Sequence, residues 1–193
     1  MRKMTTPISE ADIRSLKVGD TVLLSGVIVT ARDAAHKLMV EKRPDFIRPY
    51  LKDSVIYHCG PVVRQDEDGS WHFVSAGPTT SSREEPYQAT VIGEYGVRGC
   101  IGKGGMGSIT AKGLQDHGAV YFHAIGGAGS LVAKRVEKVL DVFMLEEFGT
   151  PEAFWVIEVK DFPVVVTMDA HGNSLHVKVA EESNKNFKKL IAD

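Results

Sequence analysis

Apolar and polar positions change rhythm midway along the chain. Residues 9–16 carry helical spacing, with Ser9 placed as the cap. Val18-Gly19-Asp20 turns the chain into Thr21–Thr30, a β-branched strand interrupted by Gly26. Glycine inside a strand marks a bulge or a close backbone approach. Residues 32–39 have helical propensity, with Asp33 as the expected N-cap. Residues 54–57 and 71–75 read as strands, separated by the polar turn 65–69. Beyond them helix and strand alternate: helix 84–94, strand 97–101, helix 108–116, strand 119–125. Gly126-Gly127-Ala128-Gly129 opens a third helix, expected to run to about Val136. Strands near 139–145, 154–159 and 164–168 follow, then the turn His171-Gly172-Asn173 and a Lys/Glu-rich polar tail over about 180–193. A β-rich start followed by β/α alternation predicts one mixed α/β domain spanning residues 1–193.

Composition narrows the function classes. With 43% hydrophobic residues, a 193-residue chain can bury a substantial core. A net charge of −2 gives no global pull toward nucleic acid or an anionic membrane, so any anion binding must be local. No apolar run approaches the roughly 18 residues of a membrane span, and the basic start at Met1 has no apolar run behind it to make a signal peptide. Cys59 and Cys100 are too few for a disulfide framework or a four-thiolate metal site, which points to a reducing, cytoplasmic setting. The seven histidines show no metal-ligand spacing.

The chemistry-bearing residues fall at predicted strand ends, where ligand sites form in α/β sheets. Gly77-Pro78-Thr79-Thr80-Ser81-Ser82-Arg83 combines hydroxyls with a cation. As a bland loop it would only cap the next helix. Arg83, however, is expected in that helix's first turn, where it opposes the dipole unless an anion binds there. Gly102-Lys103-Gly104-Gly105-Met106-Gly107 matches G-x-G-x-x-G between strand and helix. A dinucleotide module using Gly102, Gly104 and Gly107 is one reading, but the next strand ends in Gly126-Gly127 with no acid for a ribose. A tight turn without a ligand is the second reading. The third is a carboxylate-binding turn, with Lys103 supplying charge and the helix N-terminus supplying donors. Arg32-Asp33-Ala34-Ala35-His36 reads either as a surface Arg beside a helix cap or as a carboxylate clamp with a titratable imidazole.

Together with Tyr57-His58-Cys59-Gly60-Pro61 and Ala170-His171-Gly172-Asn173, these motifs resemble the β-subunit, or C-terminal domain, of class I iron–sulfur hydro-lyases. That family comprises class I fumarases and L(+)-tartrate dehydratases. The resemblance implies a swivelling β/β/α fold with a mixed sheet and flanking helices. It implies a separate α-subunit carrying a four-iron iron–sulfur cluster, a C4-dicarboxylate substrate, and a hetero-oligomer, with a dimer as the form of this chain in isolation. No cofactor is expected on this chain. By resemblance, Arg32, Thr79, Arg83 and Lys103 bind substrate, while Thr79 and His36 are the catalytic candidates. The chain departs from the pattern after Arg83, reading Glu84-Glu85 where many members have Met-Asp. The expected reaction is hydration of fumarate to L-malate, with tartrate dehydration as the alternative.

Overall fold

Strand β2 (Thr21–Thr30) organises the molecule, its β-branched residues buried toward the C-terminal end. One edge receives β1 (Arg2–Thr5) along the first half and β3 (Val55–Tyr57) along the second, both parallel. The other edge pairs antiparallel with β9 (Phe154–Met168). β9 carries β8 (Val136–Phe143) beside its first half and β7 (Val120–His123) beside its second, both antiparallel. β6 (Gly99–Gly102) lies between β3 and β7 and runs parallel to both. The strands β2, β3, β6, β7 and β9 thus close into a ring, flanked by β1 and β8. Closure removes the open edges a sheet would otherwise expose. The computed structural model describes residues 1–191.

Both faces of this ring are covered, so consecutive strand residues enter different cores. Val55 and Tyr57 join one core, built around Phe122, Trp155 and Phe162, and Ile56 joins the other. The hairpin β4 (Val62–Gln65) and β5 (Trp71–Ser75) closes the first core, with Trp71 and Phe73 edge-on to Trp155 at 5.2 and 5.9 Å. Helices α1 (Glu10–Arg14) and α6 (Gly129–Ala133) flank the same side. The second core lies under α2 (Asp33–Lys42), α3 (Arg48–Leu51), α4 (Glu85–Tyr95) and α5 (Ser108–His117), which contribute Met39, Leu51, Val91, Ile92 and Leu114. Short α7 (Leu145–Phe148) joins β8 to β9.

The mixed α/β architecture matches the sequence reading, with differences of local cause. Ser9 caps α1 by accepting the Asp12 N–H at 3.1 Å, and Gly26 (φ 97°) sits at a register shift in β2. A side chain at position 26 would lie 2.9 Å from the Thr6 carbonyl, so this glycine marks a close approach of the chain just after β1. Asp33 is the first helical residue of α2, whose N-cap is Arg32. The helix opened by the Gly126–Gly129 turn stops at Ala133, because Val136 already pairs with Val159. The two strands expected at 154–159 and 164–168 are one continuous β9, bent where Asp161 takes a positive φ of 49°. The polar tail forms helix α8 (Leu175–Leu190), capped by Ser174; residues 192 and 193 of that reading lie outside the described residues. Among the described residues no helix is long and apolar enough to cross a membrane.

Candidate active site at the strand ends

The parallel strands β2, β3, β6 and β7 all finish at one edge, and the loops that follow are tied to one another. Ala31 N–H donates to Tyr57 O at 3.0 Å, His58 N–H to Ile101 O at 2.8 Å and Ala124 N–H to Gly102 O at 2.9 Å. The Thr79 turn is sewn between two of these loops. Its N–H donates to His58 O at 2.7 Å, its carbonyl accepts from Lys103 N–H at 3.3 Å, and Ser81 N–H donates to Lys103 O at 3.1 Å. Thr79 and Lys103 are therefore held side by side through their backbones.

Arg32, at the end of β2, crosses Gly60. A Cβ there would stand 2.5 Å from the guanidinium Nη1, so only glycine leaves room for this path. Arg32 Nε lies 3.3 Å from Glu152 Oε1 in an ion pair, yet it makes no hydrogen bond although buried. Glu152 also accepts the Ala34 N–H at 3.0 Å, at the start of α2.

Arg83 occupies a 3₁₀ turn (Ser81–Arg83) ahead of α4, rather than the first turn of that helix. Its Nε donates to Asp33 Oδ2 at 2.8 Å, and its Nη2 donates to the same oxygen. The anion expected beside Arg83 is thus supplied in part by Asp33. Burial works against the Asp33 carboxylate, but the hydrogen bonds from Arg83, the neighbouring Glu84 carboxyl and the charges of Arg83 and Arg32 hold its pKa below the usual range. Lys103 lines a cleft of about 400 Å³ with Gly77, Pro78 and the Gly127–Leu131 segment, and it forms no ion pair among the described residues. One edge therefore gathers Arg32 and Arg83 around Asp33, with Thr79 and Lys103 beside them along the 79–83 turn.

The glycine turn differs from expectation at its far end. Glu85 reaches across from α4 and accepts the N–H groups of Gly107, Ile109 and Thr110 at 2.7, 3.1 and 3.2 Å, and the Thr110 hydroxyl at 2.7 Å. A protein carboxylate already complements the N-terminus of α5. The donors a pyrophosphate would need there are taken, which argues against the dinucleotide reading of Gly102, Gly104 and Gly107. Lys103 is what the turn offers outward. The Ala170–Asn173 motif lies at the other end of β7, where Met168 pairs with Tyr121, and Asp169 orders that loop by accepting N–H groups of His171 and Asn173.

Beneath these turns runs a buried polar chain. His36 and His58 both direct Nε2 at Gln88 Oε1, at 3.0 and 2.7 Å. His36 Nδ1 lies 2.9 Å from Arg32 O, His58 Nδ1 lies 2.8 Å from Ser81 Oγ, and Ser81 Oγ lies 2.9 Å from Tyr121 OH. A neutral imidazole has one donor, so His36 cannot donate to both Gln88 and Arg32 unless it is charged. Burial opposes that charge, lowering the pKa of His36 and taking His58 down to about 3. The balance closes if the Gln88 amide presents its nitrogen to both rings. That nitrogen has no partner otherwise, and His36 then donates Nδ1–H to the Arg32 carbonyl. His36 thus faces inward, fully buried behind Arg32.

Cys59 and Cys100 are also fully buried, their thiol pKa values raised by burial. They pack as small hydrophobes and do not constitute a donor set for an iron–sulfur cluster. Sequence reasoning missed Gln88 and Tyr121, and the parts that Ser81 and Glu85 play. Their partners are 22 to 52 residues away in sequence, so no local spacing announces them.

The model of the Fumarase C-terminus family matches residues 2–179, and the chain belongs to that family. Among relatives, a protein of Geobacillus stearothermophilus provisionally named class I fumarate hydratase is 51% identical over 181 residues, covering 93% of this chain and 34% of that protein. The L(+)-tartrate dehydratase subunit beta of Escherichia coli (strain K12) is 42% identical over 193 residues, covering 98% of this chain and 90% of that subunit. A Methanocaldococcus jannaschii protein provisionally named for the same subunit is 41% identical, with 95% of each chain covered. The chain thus spans about a third of the first relative and nearly all of the other two.

Proposed function

We propose that this chain is the carboxylate-binding subunit of a two-chain hydro-lyase that reversibly hydrates fumarate to L-malate. The observation that carries the reading is the gathering of Arg32, Thr79, Arg83 and Lys103 on one edge of the sheet. A dicarboxylate needs charge at two points, and three cations on three tethered turns supply it. Arg forks suit carboxylate geometry, while Lys103 acts as a point charge. As a carbanion-like state develops beside a carboxylate, fixed cations stabilise the added charge without reorganising. Thr79 would contact substrate or relay a proton, since an unassisted hydroxyl is a poor base. His36, buried behind Arg32, would act on the site by holding the Arg32 backbone. The four-iron cluster implied by the resemblance would belong to the partner α-subunit, because the two thiols here are not its ligands. Buried free thiols fit a reducing compartment such as the cytoplasm.

A second reading, dehydration of L(+)-tartrate, is favoured by the relatives that match this chain nearly end to end. Assays of the reconstituted pair on fumarate, L(+)-tartrate and mesaconate separate the two by their kcat/KM ratios.

Arg83→Lys tests the site itself. Lys retains the charge but loses the fork, so kcat/KM for the preferred substrate should fall about tenfold or more. The melting temperature should change little, since the Arg83–Asp33 pair is half-exposed. An unchanged kcat/KM would remove Arg83 from the site.

A further inference from the structure

Among the described residues Glu84 is the one carboxyl side chain with no exposed surface. Neither of its oxygens has a hydrogen-bond partner. Asp33 Oδ1 is likewise buried without a partner, while Asp33 Oδ2 holds Arg83. Glu84, with no exposed surface, cannot ionise beside the Asp33 carboxylate without large cost. One shared proton resolves the arrangement, giving a donor to the orphaned Asp33 oxygen and neutralising Glu84. We infer that Glu84 is held as a neutral acid that donates its proton to Asp33 Oδ1, and that the chain Glu84–Asp33–Arg83 fixes the Arg83 guanidinium at the mouth of the site. Glu84 is thereby a positioning residue, acting through Asp33.

The surroundings agree. Burial first, then the hydrogen bond and charge of Asp33, push the Glu84 carboxyl up to about 8. Of the other groups near it, Cys100 and Tyr121 have raised pKa values and feel its charge, while His36 and His58 have lowered ones and feel that of Asp33. Cys100, Tyr121 and His58 stay neutral across the range in which Glu84 titrates, and burial likewise disfavours a charge on His36. The charges that face Glu84 there are Asp33 and Arg83, with Arg32 and Glu152 behind them.

The sign of the pH dependence follows. Glu84 has a folded pKa above its ordinary value of 4.5, so the folded chain holds an extra proton between 4.5 and about 8. The stability it contributes is full below the lower value and is lost as pH rises through the higher one. Glu84→Gln removes this titration but keeps an N–H donor for Asp33, whereas Glu84→Met removes the donor.

The experiment has two arms. In the chain alone, infrared spectra with isotope-labelled glutamate should show a protonated carboxyl at pH 6 that disappears near pH 8 and is absent from Glu84→Gln. The same variant should flatten the fall in melting temperature between pH 6 and pH 9. A Glu84 already ionised at pH 6 would overturn the inference. The second arm rests on the reading of Arg83 as a substrate contact and uses the reconstituted pair. Glu84→Gln should keep kcat/KM within about threefold at pH 7 and lose the decline near pH 8, while Glu84→Met should raise KM about tenfold. If both variants matched the wild type in KM and pH profile while Arg83→Lys was impaired, the positioning role would be overturned. If Arg83→Lys were also unimpaired, the substrate-site reading would fail with it, and the infrared arm alone would still decide the shared proton.

Discussion

Arg32→Ala in the reconstituted pair is expected to lower kcat/KM for fumarate by up to about a hundredfold while leaving the fold nearly intact. Charge-assisted hydrogen bonds contribute roughly 1.5–3 kcal/mol each, which corresponds to about ten- to a hundredfold in turnover efficiency. Arg32 belongs at the upper end because its Nε is buried and makes no hydrogen bond within the chain. Folding should suffer little. Glu152 loses its ion pair but keeps the Ala34 N–H at 3.0 Å, and a partly exposed pair is worth about 1 kcal/mol or less. Kinetics and melting temperature on the same variant decide the matter. A lowered melting temperature with unchanged kcat/KM would make Arg32 a structural partner of Glu152.

The largest effect on stability is expected at Gly102. A methyl group there would overlap Ser81 Oγ and lie 3.0 Å from both His58 Nδ1 and Tyr121 OH. All three atoms belong to buried polar groups already joined in one hydrogen-bonded chain, so none can yield without losing a partner. Overpacking of this kind costs about 3 kcal/mol, which lowers the melting temperature of a domain this size by roughly 6–12 °C. Displacing Ser81 would also shift the turn carrying Thr79 and Arg83, so the reconstituted pair should lose activity as well. Gly104→Ala is the contrast: it has a positive φ of 85° but nothing within 4 Å of a new Cβ. It should cost about 1 kcal/mol from backbone strain alone. Equal losses in the two variants would contradict the packing argument.

Most of the strands, though not β1 or β4, and the cation-bearing turns were legible because they depend on local signals. The run Thr21–Thr30, the Ser9 cap and the cation-bearing turns all announce themselves within a few residues. Ring closure was not legible, since β9 pairs with β2 over more than a hundred intervening residues. Continuity of β9 through Asp161 and Pro163 was hidden because both residues ordinarily end strands. At the site, Arg32, Thr79 and Lys103 could be proposed from their turns. That Arg83 is held by Asp33, fifty residues away, could not be seen. Glu84 and Glu85 looked alike in sequence but play opposite parts. Glu85 is an ionisable cap for α5 across 22 residues, and Glu84 is buried against another acid. The buried chain from His36 to Tyr121 needed the fold to assemble it.

Reconstitution measures the central claim most directly. This chain, the cluster-bearing partner subunit proposed for it and their mixture would each be assayed anaerobically for fumarate hydration and tartrate dehydration after iron and sulfide loading. Turnover is predicted only in the mixture, falling when Arg32, Arg83 or Lys103 is replaced in this chain. Turnover by this chain alone at the rate of the mixture, or a mixture indifferent to all three replacements, would contradict the assignment of the carboxylate-binding half-site to this edge.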